Sequence, residues 1–173
     1  MWSSLLTFLG LLGSGIQAGA LLMVLYGVCP TFRQLPVPEW MRLHVSLDRS
    51  IERYMPAINI ITGGATLILL FMPQDGVVRM LRVLALMHNI ALALMSELVN
   101  VRINKAIARR VAVLAGDVPP SGDSGSVMTV VDGEDTDQLI AARERWIRWH
   151  QWRTLDIVLG FVLSIVAVLL AAN

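Results

Sequence analysis

Four long apolar blocks, at about residues 2–28, 54–72, 83–101 and 155–172, carry no charged side chain except Glu97 and Asp156. Each is close to the ~20 residues an α-helix needs to cross a hydrocarbon core of about 30 Å. Backbone polar groups have no water to bond in lipid, so such blocks are stable there only as helices. The fold expected is therefore all-α: an integral membrane four-helix bundle, one domain over residues 1–173, with helices extended on the cytoplasmic side. With 55% of residues apolar and a mean hydropathy of +0.65, an ordinary soluble domain is excluded.

Orientation follows from the basic residues. All of the 14 Lys and Arg residues except Arg79 and Arg82 lie in or beside the connectors after the first and third blocks. The positive-inside rule then puts those connectors in the cytoplasm and both termini outside. The opening MWSSLLTFLG lacks the basic start of a signal peptide, so the first block should stay in the mature chain. Residues 116–136, with Pro119-Pro120 and five acidic but no basic residues, read as a flexible acidic loop. Membrane lipids and a hydrophobic small molecule are the expected partners, and a homo-oligomer stays open. No nucleic-acid partner is expected.

Within the blocks, small and polar residues indicate how the helices meet. Gly15 and Gly19, with Gln17 between them, should let a neighbouring helix approach the first span, which Cys29-Pro30 should end. Pro56 falls in the first turn of the second span, where a missing N–H is tolerated. Arg79 and Arg82 should snorkel to the surface. The third block is unusual, because Met87 to Ala108 carries Asn89, Ser96, Glu97, Asn100 and Asn104. At about 100° per residue, Asn89, Ser96, Asn100 and Asn104 stay within roughly an 80° sector, with Glu97 at its edge. Facing lipid they would cost several kcal/mol, so they should face other helices or a pocket. On the last helix, Trp146, His150 and Arg153 share a face, and Asp156 is placed to pair with Arg153. The topology brings Arg53, Asn59, Glu97, Asn100, Asn104, His150 and Arg153 to one depth, toward the cytoplasmic leaflet.

Chemistry is constrained by what is missing. One cysteine, Cys29, cannot make an intrachain disulfide or a dithiol redox centre. His44, His88 and His150 are on different segments and lack metal-ligand spacing, so neither a metal nor a haem is expected unless two of them meet in the fold. For His88 the favoured reading is a hydrogen-bonded interhelical histidine, and for His44 and Arg53 a solvated or lipid-facing role. Glu97 or His150 could serve as a base, since burial moves either group toward neutrality. Arg153, Asn100 and Asn104 could stabilise a developing phenolate or enolate. A polar network that only fixes helix register is the competing reading of the same residues.

The DRSIERYMPAI segment before the second span, VNVRINKAIA ending the third and RERWIRWHQWRTLDIVLGF leading into the fourth carry a family resemblance. The chain resembles the anthrone oxygenase-like family of small four-helix membrane proteins, many bacterial members of which are classed as a domain of unknown function. The likeness spans nearly the whole chain. Its most specific parts are Asn100-x-x-x-Asn104 and Trp146-x-x-x-His150-x-x-Arg153. Arg102 stands where many relatives are expected to have Pro. The resemblance implies oxygen-dependent oxidation of a polycyclic phenol or anthrone to a quinone, with no cofactor. It assigns His150 or Glu97 as base, Arg153 and Asn104 as anion binders and Trp146 as a flat wall, with Asn100, Asn59 and Arg53 nearby. The alternative is a non-catalytic membrane protein that binds a lipid or hydrophobic small molecule, or acts as a partner subunit. A transporter ranks third.

Overall fold

The computed structural model describes residues 2–51, 53–116 and 133–172. The acidic stretch at 116–136 thus lies largely outside the described residues. Among those residues there are five helices and no strand: α1 Trp2–Gln34, α2 Val37–Ile51, α3 Met55–Leu70, α4 Gly76–Leu114 and α5 Gly133–Ala171. Helices α1, α4 and α5 are long and apolar enough to cross a membrane. At 1.5 Å per residue their 33 to 39 residues reach roughly 50–58 Å, well beyond a hydrocarbon core of about 30 Å. The bundle therefore has an apolar half and an extended half.

Two sequence expectations change here. Cys29-Pro30 does not end α1. A π-helical turn at Val24–Val28, closed by the Cys29 N–H on the Val24 carbonyl, rewinds the helix so that Pro30 falls at the start of a fresh α-helical segment. The helix ends at Leu35, extended at φ −78° and ψ 142° ahead of Pro36. The second span also differs, because α3 has only 16 residues and reaches spanning length only together with α2, from which it is bent by 42°.

Helices α1, α3, α4 and α5 pack as a ring, each against the next and α5 back against α1. Close approach at the seams depends on glycine. A Cβ on Gly13 would collide with Thr62, one on Gly63 would stand 2.6 Å from Asn89 Oδ1, and one on Gly160 would stand 2.8 Å from His88 Cβ. Gly15 meets the Phe161 ring, whereas Gly19 meets nothing within 4 Å, so the expected Gly15/Gly19 pair is not the packing motif. Gln17 does take a packing role, donating to Thr62 Oγ1 at 3.2 Å.

Local signals set the ends of α4. Asp75 caps its start by accepting from the Val77 N–H at 2.7 Å. Arg82 bonds Gln74 Oε1 at 2.6 Å, and Gln74 donates to the Leu69 carbonyl at the end of α3. Gly116, at φ +79°, closes the far end of α4 in the left-handed region that favours glycine. Lipid-type surface covers the apolar half, with Phe8, Ile60, Met87 and Leu169 all exposed. In the extended half α2 folds against α4 and α5 over a core that includes Phe32, Trp40, Met41, Ile107, Trp146 and Ile147. Arg143 fastens α1 to this core, donating to the carbonyls of Phe32 and Leu35 at 2.8 and 3.1 Å with its guanidinium over Trp40.

Candidate functional site

A second π-helical turn, Ser96–Asn100, interrupts α4 where the apolar half meets the extended half. Its Val101 N–H bonds the Ser96 carbonyl, the i+5 pattern that marks such turns, and π-turns are common at functional sites. Within it Asn100 is buried and Glu97 is exposed. Ser96, Asn100 and Asn104 then follow one another at one-turn spacing along the seam with α5, which carries Trp146, His150 and Arg153 at matching levels.

Asn104 is the hub. Its carbonyl oxygen accepts from Trp146 Nε1 and His44 Nε2, each at 3.1 Å, and its amide nitrogen donates to Asp48. Indole N–H can only donate and a carboxylate can only accept, so these partners fix which way the amide points. Around it Phe32, Trp40, His44 and Trp146 form an aromatic box, with His44 edge-on to Trp146 at 4.9 Å. His44 is buried, so it has neither the solvated nor the lipid-facing role expected from sequence.

The His150 ring stacks on Trp146 at 5.3 Å with an interplanar angle of 16°. His44 Nε2 is held by Asn104, whereas both nitrogens of His150 have partners of their own. His150 Nε2 lies 3.0 Å from the Leu21 carbonyl, which can only accept, and Nδ1 lies 2.9 Å from Arg153 Nη2, which can only donate. The ring is thus the neutral Nε2–H tautomer with its Nδ1 lone pair under the guanidinium. Arg153 continues to Ser96 Oγ at 3.1 Å, and Ser96 donates to the Leu92 carbonyl.

Arg153 Nε and both amide atoms of Asn100 are buried without a hydrogen-bond partner, as are Trp40 Nε1 in the aromatic box and Asp156 Oδ2 further along the seam. Orphaned groups of this kind are costly in a dry interior and call for water or a ligand. Arg153 Nε and Asn100 Nδ2 are spare donors, and Asn100 Oδ1 is a spare acceptor.

The structure thus brings together Asn100, Asn104, Trp146, His150 and Arg153. It does not bring in three others. Glu97 is exposed on α4, and Arg53 is exposed in the turn between α2 and α3. Asn59 belongs to a deeper network, donating to Gln17 Oε1 at 2.9 Å and to the Asn89 carbonyl at 3.3 Å. The expected Arg153–Asp156 pair is absent. Asp156 bonds His88 across the α4–α5 seam instead, while the Arg153 guanidinium is taken by Ser96 and His150. His88 is therefore the interhelical histidine that was expected. Sequence reasoning missed Asp48, whose spacing of four from His44 on α2 was the available signal, and the Leu21 carbonyl, for which there was none.

Cavities of about 20 and 40 Å³ lie at opposite ends of the molecule, one beside Arg82 and Ser164 and the other beside Pro38 and Val111. A family model described as anthrone oxygenase matches residues 40–163, which run from within α2 through most of α5 and include Asn100, Asn104, Trp146, His150 and Arg153. No curated protein and no solved structure matches the chain.

Proposed function

The chain is a membrane protein of the anthrone oxygenase family, and from that premise we propose that it oxidises a lipophilic phenolic or anthrone-like substrate with dioxygen. The observation that carries this reading is the trio of unpartnered polar atoms on Asn100 and Arg153 beside a neutral His150. A substrate oxygen placed between Arg153 and His150 accepts the hydrogen bonds of the guanidinium and uncovers Nδ1. That nitrogen then takes the acidic carbon-bound proton, and the negative charge spreads onto the oxygen held by Arg153 and Asn100. Trp146 is the flat wall of this pocket, and Asn104 holds Trp146 in place.

No cofactor is needed, because the electrons come from the substrate. The carbanion passes one electron to dioxygen, and the resulting radical and superoxide combine at carbon. The peroxide anion regains the proton from His150, and loss of water across the C–OOH and remaining C–H bonds leaves a ketone. One oxygen atom ends in the product and one in water.

The proposed setting is a bacterial inner membrane. The bent α2–α3 pair supplies the fourth span, both termini lie outside, and the cluster is at the cytoplasmic leaflet. Purified protein in detergent, given an anthrone-type substrate under isotopically heavy dioxygen, should place one heavy atom in the quinone. Arg153→Lys and Asn100→Leu should lower the rate at least tenfold in folded protein. Unlabelled product, or variants as active as the parent, would contradict the proposal and favour a lipid-binding or partner-subunit role.

A further inference from the structure

Another acid–base pair, in the apolar half of the bundle, takes no part in that chemistry. His88 Nδ1 on α4 lies 2.6 Å from Asp156 Oδ1 on α5. When the carboxylate accepts from Nδ1–H, the ring lone pair is left on Nε2, at the opposite edge. No other hydrogen bond to this ring occurs among the described residues. The arrangement differs from that of His150, whose lone pair lies under an arginine. A carboxylate behind an imidazole fixes the orientation and tautomer of the ring.

The pair opens outward. The His88 and Asp156 side chains are 28% and 17% exposed, and their neighbours Leu84, Met87, Leu155 and Leu159 are exposed apolar residues of the surface that lipid would cover. Trp152, one turn before Asp156 on the same face of α5, is 61% exposed and offers a flat indole beside the pair. Asp156 Oδ2 is buried without a partner, so the carboxylate is less neutralised by hydrogen bonds than one serving only to join helices. Gly160, against His88 Cβ, lets α5 approach closely enough to hold the ring. Ionisable groups at such positions in an apolar span are costly and warrant a functional reading.

We propose that His88, backed by Asp156 and flanked by Trp152, is an acceptor site for the hydroxyl of a flat aromatic lipophile that arrives from the bilayer. The acceptor nitrogen requires a hydroxyl donor, the indole suits an aromatic ring, and the leucine-rich surroundings require a compound dissolved in lipid. The site is separate from the Asn100–Arg153 seam, and its occupancy is read without turnover, so it stands or falls independently of the oxygenase.

The test uses the full chain in lipid nanodiscs with nitrogen-labelled histidine, titrated with naphthol and, separately, with its methyl ether. Naphthol should move the His88 Nε2 resonance saturably, and the ether, which has no proton to donate, should not. Asp156→Asn keeps an acceptor for Nδ1–H, and Trp152→Leu changes an exposed side chain, so both leave the pair in place. Each should weaken naphthol binding about tenfold, the loss of one hydrogen bond or one aromatic contact. A resonance that does not move, moves equally with the ether, or titrates unchanged in both variants would overturn the proposal.

Discussion

Asn104 shows how one side chain ties three helices together. Its carbonyl holds donors from α2 and α5, and its amide holds the carboxylate of Asp48 on α2. Asn104→Ala would leave the buried His44 and Trp146 donors unpaired, and should cost on the order of 3 kcal/mol, read as a lower thermal midpoint in detergent.

At the level of elements, α4 carries a π-turn at Ser96–Asn100. A π-turn absorbs one extra residue without turning the helix beyond it, so deleting Leu98 should restore plain helix and leave Asn100 and Asn104 facing α5. Helix content by circular dichroism and oxygenase activity should then both be kept, and loss of activity in folded protein would show that the widened turn itself shapes the site. Helix geometry also explains what could and could not be read from sequence. Asn100 and Asn104, and likewise Trp146, His150 and Arg153, were legible as shared faces because spacing along one helix is local. Glu97 was misplaced because it lay at the edge of the polar sector, where spacing alone does not decide between core and surface. Asp156 was assigned to Arg153 because its partner His88 is chosen by the register between two helices, which no local pattern encodes. Pro30 looked like a stop because nothing in the local sequence marks the π-turn that accommodates it.

For the whole molecule, the apolar blocks made the helical membrane architecture legible, whereas the number of spans depends on whether α2 and α3 act as one bent crossing. The proposed orientation predicts that, in a Cys29→Ala background, a membrane-impermeant maleimide applied to spheroplasts labels Ser3→Cys on α1 but not Ala106→Cys on the extension of α4. Both positions are exposed, so labelling of Ala106→Cys alone would invert the topology. The catalytic claim requires more than architecture, since the cluster is packed and a tricyclic substrate must part α4 from α5 to reach it. The most direct measurement is oxygen uptake by the purified protein with an anthrone-type substrate, followed alongside quinone formation. The account predicts one dioxygen consumed per quinone, no hydrogen peroxide released, and a rate abolished in His150→Ala protein that remains folded. Uptake no faster than in protein-free detergent, or undiminished in that variant, would contradict it.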